Sequence, residues 1–364
     1  MKLLPGTLLA LGASALVSMP ALAEEASSSW ADRISLYGDL RLRYEDIDEQ
    51  GDPDAERDRE RGRARIGLKA DVSSDVKVIM GIATGGDNPV SRNVTGDGGF
   101  TTKDIGIELM YVDWQATEDL SVYAGKMKNP LFRAGGVPLI WDGDLNPEGA
   151  AASFASGMFF ANGGIFSVEE RSGDDDSVLR AIQGGVKTEI GEVGKLTAGL
   201  GYFEYTNTIG YEPFYNGRSK GNTVDADGNY VYEYKNTEVF AQFDTRLGDW
   251  PFQVYAHYTM NNEVDVEDTA FAYGAKFGSA KKQGTQQVSY TYQDIEADSV
   301  IGTFNDSDFG GGGTDASGHM LKYKYMLRDT ISLGGTLFIN QVDRFQGTEH
   351  DFDRLQIDVE FKFK

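Results

Sequence analysis

The sequence contains no cysteine, three histidines and nine prolines, and after its N-terminal stretch no apolar run approaches the ~20 residues that a membrane-spanning helix needs. The missing cysteines exclude a disulfide framework and a thiolate metal site. With His257, His319 and His350 as the whole supply of imidazole, catalysis by a carboxylate-oriented histidine has few places to reside. Positive charge is also scarce: 34 Lys and Arg stand against 57 Asp and Glu, for a formal net charge of -23. What is abundant instead is Gly (45), Tyr (18) and Phe (20) in 364 residues, of which 40% are hydrophobic. Such aromatic content separates the chain from a disordered polyanion, because it can supply a packed or lipid-facing surface.

The N-terminus, MKLLPGTLLALGASALVSMPALAEE, has one Lys, an apolar run and Ala21-Leu22-Ala23 ahead of Glu24-Glu25. That pattern predicts a secretory signal peptide over residues 1–23 and a mature chain, 24–364, beginning near Glu24. An anchor is disfavoured, since Pro5 and Pro20 break a run already short for spanning.

Period two dominates the remainder. Leu355, Ile357, Val359, Phe361 and Phe363 alternate with Gln356, Asp358, Glu360, Lys362 and Lys364, giving one apolar and one ionic face. Residues 252–260 and 321–328 behave alike, as do 34–44, 64–72, 76–82, 196–202, 239–247, 271–277, 288–292 and 331–339. Connections alternate in length. Short turns fall at 73–75, 117–119, 191–194, 248–251, 280–284 and 328–330. Long ones fall at about 48–60, 85–103, 128–150, 170–177, 207–232, 262–268, 295–317 and 343–351. The count predicts an all-β chain of about 16 strands, with both termini on the short-turn side. This is the pattern of a transmembrane antiparallel β-barrel with short periplasmic turns and long extracellular loops. A soluble sandwich would use strands of ~5–6 residues. Tyr44, Tyr202, Tyr258, Tyr292, Tyr325, Phe277, Phe361 and Phe363 fall on the apolar face, many near strand ends, where interfacial aromatic girdles sit.

In ERGRARIGLKADV (60–72), Arg61, Arg63, Arg65 and Lys69 form an alternating row. A basic row invites a nucleic-acid reading, but Ala64, Ile66, Leu68 and Val72 make its other face lipid-compatible, so the row faces the barrel interior together with Arg41 and Arg43. No nucleic-acid partner is expected. Folding about the middle of the first loop brings Arg43 opposite Arg65 or Arg63, where like charges repel. A wide, water-filled lumen can use that field to choose ions; the bland alternative is neutralisation by Asp39, Glu45, Asp71 or loop carboxylates. The excess acid lies mostly in loops. EDIDEQGDPDAERDRE (45–60) has nine acidic residues against two Arg, and acidic clusters recur at 174–176, 263–268 and 294–308. These are solvated loop tips, or bridges through divalent cations to lipopolysaccharide. TVDADGNYVYE (223–233) is not a calcium loop: with Gly228 at the turn position, Thr223 and Tyr234 occupy two essential ligand positions.

GKMKNPLFRAGGVPLIWDGDLNPEGAA (125–151) is apolar for a loop and punctuated by Pro130, Pro138 and Pro147, so it packs against something. Folded into the barrel, it carries Asp142, Asp144 and Glu148 toward the Arg row. The strand count, this loop, and the stretches GDLRLRYE, RGRARIGLKADV, GKMKNP, RAGG and LIWDGDLNPEG resemble the "putative porin" family of Gram-negative outer membranes, related to general and phosphate-selective porins. The resemblance covers essentially the whole mature chain. It implies a 16-stranded homotrimeric barrel among outer-membrane lipid and lipopolysaccharide, passing small hydrophilic solutes and ions. It implies pore-wall roles for Arg41, Arg43, Arg61, Arg63 and Arg65, which Lys69 joins by parity. For the inward loop, about 128–150, it implies constriction roles for Lys128, Arg133, Asp142, Asp144 and Glu148. The chain departs from the family in ending Phe363-Lys364, and in mixing its basic residues with Asp113, Asp244, Glu189, Asp358 and Glu360 where phosphate-selective relatives carry a denser ladder.

The expected function is therefore a diffusion channel with a charged constriction, needing no cofactor, no metal and no catalytic residue. The alternative is a substrate-specific channel for anions such as phosphate, or for sugars along lumen-facing Tyr37, Tyr123, Phe203, Tyr205, Phe240 and Tyr255. A remoter one is a barrel enzyme using His257, which lies in a regular strand between Tyr255 and Thr259.

Overall fold

A computed structural model describes residues 30–50 and 56–364; the expected signal peptide lies outside them. A 3-10 turn, Trp30–Arg33, leads into sixteen long strands. They are β1 Ile34–Glu49, β2 Arg57–Asp71, β3 Val76–Thr84, β4 Ile105–Gln115, β5 Leu120–Lys126, β6 Glu148–Ser156, β7 Phe159–Glu169 and β8 Ser177–Ile190. There follow β9 Gly194–Tyr205, β10 Tyr234–Leu247, β11 Trp250–Asn261, β12 Thr269–Gly278, β13 Gln286–Ile295, β14 Ala316–Arg328, β15 Ile331–Val342 and β16 His350–Phe363. A two-residue strand, Val94–Thr95, sits in the β3–β4 loop and pairs with Arg61 and Gly62.

Each long strand pairs antiparallel with its neighbours in sequence, and β1 closes on β16 from Gly38 opposite Phe363 to Glu49 opposite Phe352. Closure leaves no sheet edge, as a lipid environment demands, because an unpaired N–H or C=O there has no water to bond. Among the described residues no helix is long and apolar enough to cross a membrane. The burial pattern is inverted relative to a soluble protein. On β1, Leu36, Leu40, Leu42 and Tyr44 are exposed while Arg43 and Glu45 between them are buried. Outward aromatics pair across strands, Trp250 stacking on Phe277 near the strand ends with centroids 5.4 Å apart and Tyr273 lying 5.4 Å from Tyr292.

Two local readings change. The strands run past the expected loop bounds, β1 to Glu49 and β2 back to Arg57, with the β1–β2 ladder continuing from Glu45 opposite Arg59 to Ile47 opposite Arg57. The register accordingly places Arg43 opposite Arg61, Arg41 opposite Arg63 and Asp39 opposite Arg65. The inward loop runs 127–147, since Glu148 already begins β6. In β4 a bulge lies between Gly81 and Ile82 of its partner, leaving Leu109, Tyr111 and Asp113 inward and Trp114 outward. The 223–233 segment is a turn in which the Asp225 carboxylate accepts the amides of Asp227 and Asn229.

Gly38 marks the seam of the barrel. A Cβ there would lie 2.4 Å from the Phe363 ring and 2.3 Å from the Arg65 carbonyl oxygen, so the ring seats on bare backbone. Gly38→Leu is expected to cost on the order of 1–3 kcal/mol through overpacking. The checking measurement is the temperature at which the folded barrel loses its fast gel mobility, which should drop; an unchanged temperature would show that the seat does not matter.

Candidate functional site

The interior is divided by charge on one side and by aromatic packing on the other. The charged side is formed by β1, β2 and β16. Arg43 is buried and tied to Asp358 through two bonds of 2.7 and 2.9 Å, to Asp308 at 3.0 Å and to Glu45 at 3.3 Å. Glu45 also accepts Arg59 at 2.7 Å and Arg61 at 3.5 Å. Asp39 holds Arg63 at 2.9 Å and Arg65 at 2.8 Å, and Arg65 meets Glu108 at 3.5 Å and Asp144 at 3.6 Å. Arg41 differs: its guanidinium donates to the Asn93 side chain at 2.6 Å, and no carboxylate lies within ion-pair distance among the described residues. Lys69 lies toward the short-turn end, with its ammonium 5.5 Å from the centre of the Tyr37 ring.

The 127–147 loop folds inward against the opposite wall. Its apolar residues Leu131, Val137, Leu139, Ile140 and Trp141 are buried. Phe132 packs between Phe160 of β7 and Phe240 of β10, and Trp141 meets Phe203 of β9 edge-on at 4.6 Å while donating its Nε1–H to the Tyr205 hydroxyl at 2.7 Å. Polar pegs fix the height. Gln183 of β8 accepts the Phe132 N–H at 2.7 Å and donates to its carbonyl at 2.9 Å, Gln242 accepts the Gly135 N–H at 2.9 Å, and Lys276 donates to the Gly135 carbonyl at 2.5 Å. Gly135, at φ 60°, lies flat on the Tyr255 ring, which a Cβ would approach to 2.5 Å.

Between loop and charged wall a cavity of about 420 Å3 remains open. The loop contributes Gly135 to Pro138; the facing wall contributes Arg41, Arg63, Lys322 and Lys324, and Lys276 stands beside the loop. The two carboxylates that line it, Asp358 and Glu360, are engaged, Asp358 by Arg43 and Glu360 by Lys324 at 3.0 Å, Lys362 at 3.2 Å and Arg63 at 3.4 Å. Five cations therefore face two occupied anions.

The sequence-predicted loop residues separate. Asp144 approaches the row, 3.8 Å from Arg63. Asp142 does not: it turns away to accept the Ser307 amide at 3.0 Å, joining this loop to the long 296–315 loop. Burial, reinforced by Asp306 and Asp144, pushes the Asp142 carboxyl well above the usual range. Its neutral form therefore favours the folded state, a contribution present at low pH and lost as the pH rises through the raised value. Asp308 behaves oppositely, since Arg43 and Arg354 overcome the effect of burial and hold it well below that range. Arg133 donates to the Trp141 carbonyl at 3.2 Å and buttresses the loop, its pKa lowered by burial. Lys128, likewise lowered by burial, reaches Glu108 at 3.5 Å. Glu148 is exposed at the start of β6 opposite Lys126, because strand parity carries it outward.

This sequence matches the family described as "Putative porin" over residues 47–233 and 220–363, nearly all of the barrel. The chain belongs to that family. Its fold is shared with solved outer-membrane porins. OprB of Pseudomonas putida, at high pH, superposes with a TM-score of 0.64 at 13% identity, covering 92% of this chain and 95% of that one. OmpF of Salmonella typhi, complexed with daunomycin, gives 0.58 at 13% identity over 92% and 99%. A triple mutant of the Rhodopseudomonas blastica porin gives 0.53 at 10% identity over 91% and 100%. No curated protein sequence gives a significant match. As a porin, the protein forms an outer-membrane channel.

In this porin the aromatic residues Phe203, Tyr205, Phe240 and Tyr255 converge beneath the inward loop, are at most 5% exposed and hold the loop. His257 is buried with Nε2 2.6 Å from Glu238, His319 lies on the outer face against the Tyr290 hydroxyl, and His350 pairs with Glu49. None of them lines the cavity between loop and charged wall. Sequence reasoning left Lys276, Lys322 and Lys324 out of the pore, although the last two occupy the polar face of the alternation at 321–328. Gln183→Leu leaves both backbone groups of Phe132 without their partner, at a cost of about 1–3 kcal/mol each where buried. We expect a larger and noisier single-channel conductance in planar bilayers as the loop loosens. A conductance identical to that of the unmodified protein would show that Gln183 does not fix the loop.

Proposed function

We propose that this porin is a passive diffusion channel of a Gram-negative outer membrane, acting as a homotrimer seated in lipopolysaccharide, through which small hydrophilic solutes pass with a preference for anions. The observation that carries the preference is the constriction lining, where five cations face two carboxylates already bonded to Arg or Lys. Size selection falls to the same gap, since the loop from Gly135 to Pro138 is its narrowing edge. The acidic excess of the whole chain does not oppose this, because little of it lines the passage.

Arg41, like Lys276 and Lys322, faces the gap with no carboxylate within ion-pair distance among the described residues, so its field reaches permeating ions. A unit charge about 8 Å away in water is worth about 0.5 kcal/mol, roughly a twofold change in relative ion occupancy. Arg41→Gln is accordingly expected to lower the anion-to-cation permeability ratio about twofold, read from the reversal potential in a potassium chloride gradient. An unmoved potential would remove Arg41 from selectivity while leaving the channel intact.

A further inference from the structure

Above the constriction, on the long-loop side, the mouth of the barrel holds a separate cavity of about 680 Å3. The ends of β1, β2 and β16 form part of its wall, and the rest comes from the β3–β4 loop and two long loops, 206–233 and 296–315. Among the described residues six cations line it, Arg57, Arg59, Arg61, Arg218, Lys220 and Arg354, against one carboxylate, Glu49, which lies 3.1 Å from the His350 Nε2. Behind the wall, Glu45 is divided among Arg43, Arg59 and Arg61, and Asp308 between Arg43 and Arg354. No ion pair among the described residues reaches Arg218 or Lys220. In a chain of net charge -23, this concentration of positive charge, with Arg218 and Lys220 outside the ion pairs, is the exception.

The cluster is also built. Lys220 has φ 52°, a left-handed conformation that a side-chain-bearing residue keeps only where the surroundings enforce it. Here they do. The Lys220 carbonyl accepts the Thr314 N–H at 2.9 Å, and a Cβ on Gly302 or Gly313 would lie 2.2 or 2.3 Å from that oxygen, so only glycine lets the two loops close around it. Two residues on, Asn222 donates to the carbonyls of Ala297 at 2.7 Å and Val300 at 2.8 Å and accepts the Gly302 N–H at 2.8 Å. The ammonium is thereby held near two like charges: burial, then Arg218 and Arg354, lower its pKa. An anion placed between them relieves that repulsion and gains charge-assisted hydrogen bonds from the guanidiniums.

We propose that the mouth cavity is a binding site for a small multivalent oxyanion, a di- or tricarboxylate or a phosphate ester, held by Arg218, Lys220, Arg61 and Arg354 on its way to the constriction. The cations are spread around a space of ligand size, so a monovalent ion can satisfy only one part of them at a time. Capture on the way to the pore rests on the diffusion-channel reading; binding does not.

The test is calorimetric titration of the full chain folded in detergent with citrate and, separately, inorganic tripolyphosphate, using acetate and chloride at matched ionic strength as monovalent controls. We expect single-site binding of at least one multivalent probe and none of the controls, the tighter probe identifying carboxylate or phosphoryl chemistry. The double variant Arg218→Gln, Lys220→Asn should weaken it at least about tenfold, as expected for losing two charge-assisted contacts. Asparagine tolerates the left-handed backbone, and circular dichroism checks that the barrel is retained. In planar bilayers the bound probe, added on the long-loop side, should reduce chloride current through the unmodified protein and much less through the variant. Absence of multivalent binding, or binding unchanged in the double variant but abolished by Arg41→Gln, would overturn the site. A protein that conducts without binding keeps the channel and loses the site. One that binds without conducting keeps the site and loses the diffusion reading.

Discussion

The constraint on which the rest depends is that backbone polar groups crossing lipid must find their partners within the protein. Sixteen strands satisfy it only by closing, and the β1–β16 ladder from Gly38 to Glu49 is the seam that does so. Once the sheet is closed, each strand has one face in hydrocarbon and one in a lumen, and a two-residue alternation becomes a radial sorting of chemistry. Leu40, Leu42 and Ile66 go out; Arg41, Arg43, Arg63 and Arg65 go in. The arginine row is thus a consequence of parity before it is a device.

Inside, unequal neutralisation makes the row functional. Arg43 is surrounded by Glu45, Asp308 and Asp358 and serves as the tie that brings β1, β16 and the 296–315 loop together. Burying such a cluster contributes little net stability, because desolvation offsets most of the attraction, but removing one member leaves its partners uncompensated. Arg41, one residue pair along the strand, escapes this arrangement and faces the open gap with Lys322 and Lys324. The inward loop completes the constriction from the other side. It is held by apolar and aromatic packing and a few side-chain to backbone hydrogen bonds, so the narrow point is fixed without using charge.

Much of this was legible in the chain. Period-two alternation and alternating connection lengths specify strand number, termini and faces because the side-chain period of a strand is fixed by its geometry. The apolar character of the loop at 125–151 is what its burial against the wall uses, through Leu131, Val137 and Trp141. Other features lay beyond reach because they depend on residues far apart in sequence. Nothing near Arg43 identifies Asp308 or Asp358, 265 and 315 positions away, as its partners. Asp142 was expected in the lumen with Asp144, yet the Ser307 amide captures it, a contact decided by how two long loops meet. Glu148 misled because the strand begins at Glu148 itself, inside the range read as loop, and parity then turns it outward. Lys322 and Lys324 carried a usable signal on the polar face of their strand; Arg218 and Lys220, in a loop without periodicity, carried none.

The central claim is that an acidic porin presents a positive passage to its solutes. The most direct measurement is the zero-current potential of the unmodified protein across a planar bilayer bathed by unequal potassium chloride solutions. A potential of the sign set by chloride permeating faster than potassium is the predicted result, and it should weaken as salt screens the wall charges. A potential of the cation-selective sign at low salt would contradict the account.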